Sequence, residues 1–92
     1  MVGTLRLRLV IRGSRSLKDK RRTVKSIKDR VSHRFNASIA EVGSLESHQC
    51  AELGVAVVAN EADYIRSVLS RITHLAGTLR DAELASCEME VL

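Results

Sequence analysis

Over residues 4–12 the chain alternates strictly, with Leu5, Leu7, Leu9 and Ile11 on one parity and Arg6, Arg8, Val10 and Arg12 on the other. A period of two over this length predicts a strand with one face against the core. After a turn at Gly13-Ser14-Arg15 the period changes. Leu17, Val24, Ile27, Val31 and Phe35 recur at helical spacing, so a helix is predicted over 17–35. Ser16 followed by Asp19 has the spacing of a capping box. The stripe has a gap between Leu17 and Val24, which Lys20 or Arg21 can fill by laying an alkyl stem along the edge of the core. Residues 36–43 and 50–59 read as two further strands, joined by the polar segment 44–49 in a hairpin. Ala51, Leu53, Val55, Val57 and Ala59 form the core parity of the second of these. Asn60 and Asp63 suit a second helix start, Ala62, Ile65, Val68, Leu69, Ile72 and Leu75 its apolar stripe, and Gly77 its C-cap. A last strand over 82–92 places Ala85, Cys87, Met89 and Val91 on one face.

Six elements in the order β-α-β-β-α-β, within a single domain spanning 1–92, form a split βαβ plan. Right-handed crossovers then select an α+β, ferredoxin-like fold: a four-stranded antiparallel sheet of order 4-1-3-2 with both helices on one face. In that order Cys50 and Cys87 lie on strands that are not neighbours and face opposite sides. A disulfide is therefore not expected; Cys87 should be buried and Cys50 more accessible. No stretch has the roughly 20 apolar residues of a membrane span, and the Arg/Leu alternation at the N-terminus is not a signal peptide. A cytoplasmic protein with reduced thiols is expected.

Charge divides the chain. Residues 1–35 carry twelve Lys/Arg against two Asp/Glu, whereas 36–92 carry three against nine. Most of the basic residues fall on the first helix and the loop before it. Arg15, Lys18, Arg21, Arg22, Lys25 and Lys28 are the candidate nucleic-acid-binding residues, because crowded like charges on one helix cost stability unless a polyanion neutralises them. The helix-free face of the sheet reads differently. Arg6, Arg8 and Arg12 stand beside strands carrying Glu52, Glu88 and Glu90, and favourable cross-strand pairing is expected there. With Phe35 and Tyr64 the only aromatics, and neither on this face, base stacking on the sheet is excluded. Val10, Ala40, Val42, Ala56 and Val58 form an apolar set on the same face. They are the candidate contact for a homodimer, which could also form through an edge strand, or for a small ligand.

Enzymatic signatures are lacking. His33, His48 and His74 lie on separate elements and form no metal set with two separated cysteines, so neither a metal nor another cofactor is expected. Acylphosphatases share the topology and hold an anion in the first strand-to-helix loop. Here that loop reads Gly13-Ser14-Arg15-Ser16 and lacks their pattern, and neither Asn36 nor Asn60 sits where their catalytic Asn belongs. An acylphosphatase-like hydrolase is thus the remote alternative to a non-enzymatic protein.

The segment Ser16-Leu17-Lys18-Asp19-Lys20-Arg21-Arg22 resembles the Ser-Leu-Lys-x-Lys-Arg signature of the YlxP-like family of small bacterial proteins, a domain of unknown function. Two further blocks, from Arg34 to Gly43 and from Ala51 to Asn60, are similar to that family in the same order. The resemblance implies a ferredoxin-like fold. The family's genes often neighbour those of translation initiation and ribosome maturation factors, which implies a link to RNA or the ribosome. No catalytic residue comes with it.

Overall fold

The computed structural model describes all of residues 1–92. Strand β1 (Val2–Ile11) leads into helix α1 (Leu17–Arg34), then β2 (Ser38–Gly43), β3 (Cys50–Val58), helix α2 (Ala62–Gly77) and β4 (Ala82–Val91). The sheet is antiparallel with order β2-β3-β1-β4, the expected 4-1-3-2 arrangement seen from its other edge. Leu5, Leu7, Leu9 and Ile11 of β1 and Ala51, Leu53, Val55 and Val57 of β3 are all buried. Above them α1 buries Val24, Ile27 and Val31, and α2 buries Ile65, Val68, Leu69, Ile72 and Ala76. Each fully buried Leu, Ile or Val contributes about 1.5–3 kcal/mol. Gly3 makes room for α2 on β1: a β-carbon there would overlap the Ile65 side chain.

The boundaries differ from expectation at the caps. Helix α1 stops at Arg34, and Phe35 is its extended C-cap, donating its backbone N–H to the Val31 carbonyl. Helix α2 is preceded by Glu61, with no side-chain cap from Asn60, and Gly77 is its last helical residue, with Thr78 as the cap.

Strand β4 carries the main correction. Arg8 pairs with Ser86 but Leu9 pairs with Leu84, so Ala85 is an extra residue. A one-residue bulge reverses the side-chain parity of the strand. Ala82 and Leu84 therefore face the helices before the bulge, and Cys87, Met89 and Val91 after it. Ala85 does not share their face. Cys87 lies opposite Leu7 as the parity requires, yet it is exposed, because β4 is an edge strand and α2 leaves that part of it uncovered. Cys50 is half-buried, so the expected order of accessibility is reversed; both thiols are free.

Candidate nucleic-acid interface

The start of α1 is set by one backbone turn and two hydrogen bonds. Gly13 takes a positive φ of 69°, which turns the chain out of β1. The Asp19 N–H donates to the Ser16 hydroxyl at 3.1 Å, and the Asp19 carboxylate accepts from the Arg15 N–H at 3.1 Å. Helix α1 therefore begins with a fixed phase. Once Val24, Ile27 and Val31 point inward, the 3.6-residue turn decides which cations point outward. Arg15, Lys18, Arg21, Arg22 and Lys25 are exposed and Lys28 is half-buried. Lys18, Arg22 and Lys25, spaced by four and three, form one ridge; Arg21 and Lys28 flank it. From Lys18 to Lys28 the helix rises about 15 Å. Lys25 is ion-paired with Asp29 at 3.0 Å. No carboxylate lies within ion-pair distance of the other five. The ridge continues past the six, where Arg22, Lys25, Arg30 and Arg34 border a shallow surface depression.

Lys20 belongs to the same basic segment but not to the surface. It is 1% exposed and is among the largest fully buried side chains. Its Nζ donates to the carbonyls of Ser44 at 2.8 Å and Cys50 at 3.2 Å, and it lies 2.8 Å from Glu41 Oε2 in an oblique ion pair. Glu41 pairs in register with Leu53, so it points to the helix side of β2. The lysine thus ties α1 to both ends of the β2–β3 connection. Ser44, a non-glycine residue at φ 55°, is held from two sides, its carbonyl by Lys20 and its hydroxyl by Glu52. The left-handed conformation costs about 1–2 kcal/mol, which these contacts offset.

On the open sheet face the arginines choose β3 over β4. Arg6 donates to Glu52 Oε1 at 3.2 Å and Arg8 lies 3.6 Å from the same oxygen. Glu88 and Glu90 form no ion pair, although Glu88 pairs in register with Arg6. Arg12 leaves this face altogether and donates to the Arg80 carbonyl at 3.1 Å. Glu52 is held below its ordinary carboxylate value, first by the Ser44 hydroxyl at 2.8 Å and then by Arg6.

The apolar residues of this face divide into two groups. Ala40, Val42 and Ala56 gather around Gly54 in an open concavity of about 760 Å³ that also takes in Thr4, Glu88 and Glu90. Val42 is the extra residue of a second bulge, between Glu41 and Gly43, and its side chain covers Gly54. Val10 and Val58 stand at opposite ends of the sheet, paired with Cys50 and Val2 respectively. No three His, Cys, Asp or Glu side chains come close enough to hold a metal ion, and no helix is long and apolar enough to cross a membrane.

Comparison with known proteins agrees with this architecture. A de novo designed protein with a ferredoxin fold, solved in solution by NMR, superimposes with a TM-score of 0.63 over the whole of this chain and 87% of its own, at 17% identity. That likeness concerns the fold alone. The uncharacterized protein YlxP of Bacillus subtilis (strain 168) is 33% identical over 72 residues, 78% of each chain. Residues 2–89 match the family described as "Protein of unknown function (DUF503)", and the chain belongs to that family.

Proposed function

We propose that this domain is a non-enzymatic cytoplasmic factor that associates with RNA or the ribosome through the outer ridge of α1. The observation that carries this reading is the row of exposed, carboxylate-free cations at Arg15, Lys18, Arg21 and Arg22, continued by Lys25 and Lys28. Their like charges repel along one helix, and a phosphate backbone relieves that repulsion while releasing counterions. Contacts of this kind position a backbone without reading bases. With about three to five phosphates neutralised on a single strand, log affinity falls against log salt with a slope of about −2 to −3.5.

Fluorescence anisotropy with a short single-stranded RNA, across a salt series, tests this. Arg22→Glu combined with Lys25→Glu lies off the buried stripe, so the fold survives; binding weakens by about tenfold or more and the slope flattens. A wild-type protein that binds neither RNA nor ribosomes at low salt refutes the reading.

A second reading rests on the open sheet face. The Ala40, Val42 and Ala56 concavity lies over β2 and β3, and Arg6 with the unpaired Glu88 and Glu90 borders it on the β1–β4 side. A two-fold related copy seated on this concavity would cover its apolar residues with those of its partner, giving a homodimer. Light scattering across a concentration series decides between a monomer and this dimer.

A further inference from the structure

We propose that the cleft between the C-terminal end of α1 and the flank of α2 binds the 5′-phosphate of a nucleotide. The two helices barely touch each other, so a cleft of about 820 Å³ opens between them. One wall is a stripe of α2 carrying Ser67, Ser70, Arg71 and His74; the other is Arg34 with Phe35. No Asp or Glu lines the cleft. Arg34 and Arg71 form no ion pair, whereas Arg66, the other arginine of α2, is paired with Asp63 at 3.1 Å. Two unpaired guanidinium groups facing a concave surface focus positive potential into it. Their planar forks match the oxygens of a phosphoryl group. The Ser67 and Ser70 hydroxyls, one turn apart, make no hydrogen bond within the protein and are free to donate to the remaining oxygens.

Arg34 and His74 lie in the last turns of their helices, where a cation is favoured by the helix dipole. Arg71 does not. It sits a turn earlier, with its guanidinium carbon 5.3 Å from the centre of the Phe35 ring. This contact steadies the guanidinium beside the ring, and a guanidinium plane is a surface on which a nucleobase stacks. The combination of a phosphate cradle and a stacking plane selects a nucleotide over a bare anion. The nucleotide can be free or can stand at the 5′ end of an RNA; the recognising chemistry is the same. None of Arg15, Lys18, Arg21, Arg22, Lys25 or Lys28 lines the cleft, so this inference stands independently of the α1 ridge.

The test is an amide-resolved NMR titration of the full chain with inorganic phosphate, with adenosine 5′-monophosphate, and with a short RNA bearing or lacking a 5′-phosphate. The expected result is saturable shifts at Ser70, Arg71 and Phe35, with about millimolar or tighter affinity for the nucleotide and weaker affinity for phosphate. Ser70→Glu and Arg71→Gln, both at exposed positions, should each weaken nucleotide binding by about tenfold or more, with the rest of the spectrum unchanged. Shifts that require the RNA's 5′-phosphate identify an RNA end as a source of the ligand; shifts with the free nucleotide alone identify a small molecule. No saturable shift in the cleft with the nucleotide, or unchanged affinity in either variant, overturns the proposal. An RNA that shifts only the α1 amides overturns it while leaving the ridge reading intact.

Discussion

Replacing Glu41 with Ala removes the only carboxylate beside an ammonium that is 1% exposed. The two carbonyls of Ser44 and Cys50 still accept hydrogen bonds from Lys20, but they carry no formal charge to oppose it. Breaking a buried ion pair by deleting one partner costs about 3–5 kcal/mol. Glu41 keeps a side-chain exposure of 17%, and water entering through its vacated space partly rehydrates the lysine. The low end of that range, about 3 kcal/mol, is therefore expected. For a domain of this size that loss lowers Tm by about 12–24 °C. Lys20→Met combined with Glu41→Leu removes both charges and keeps most of the volume. Apolar replacements of buried pairs are often neutral, so the double variant should be more stable than Glu41→Ala alone. Thermal and urea unfolding followed by circular dichroism provide the measurement. A Glu41→Ala protein melting within about 4 °C of wild type, or a double variant less stable than it, refutes the argument that a buried charge needs this partner.

Ile27→Ala should cost about 2–4 kcal/mol through lost transfer energy and the cavity left against the sheet; an unchanged urea midpoint would show that Ile27 does not pack as described. Glu52 has its folded-state value lowered from 4.5, so its stabilising contribution is complete above that value and is lost as pH falls through the lower folded one. Stability measured from pH 6 downward should therefore fall less steeply in Glu52→Gln than in wild type, and parallel curves would contradict this. In the native protein Cys87 should react with a thiol reagent faster than Cys50, and both should react without reductant once unfolded; peptide mapping of the labelled sites decides the order.

Much of the fold was legible because parity and helical phase are periodic signals. Leu7, Leu9, Leu53 and Val55 lie inward because their strands alternate, and Ile27 and Val31 because a helix places them four apart. What failed was aperiodic. The bulge at Ala85 is a single extra residue with no glycine or proline to mark it, and it changes the face of every residue on one side of it. The exposure of Cys87 depends on how far α2 extends over the sheet edge, which no local pattern encodes. The choice of Glu52 by Arg6 and Arg8 was equally hidden, since β3 and β4 flank β1 on either side and both offer carboxylates. The Lys20–Glu41 pair did leave a signal. Lys20 occupies the inward position between Leu17 and Val24, and Glu41 shares the inward parity of Ile39; two opposite charges on core-facing positions imply that they meet. Of the ridge on α1, the sequence disclosed which cations face outward. The α1–α2 cleft stayed hidden, because Arg34 and Arg71 converge only through tertiary packing.

The two bulges, at Val42 and Ala85, fall on β2 and β4, the strands at the margins of the sheet. Each margin has a row of backbone N–H and C=O groups facing away from the protein, and such rows template the addition of foreign strands. A bulge breaks the regular spacing of that row and increases the local twist, so an incoming strand cannot stay in register along it. Glu41, turned inward beside the Val42 bulge, adds a second obstacle, because a flat continuation of β2 would have to accommodate its charge. The chain contains no proline to interrupt such pairing. In a chain without proline, these two irregularities are what makes the sheet margins poor templates for strand addition.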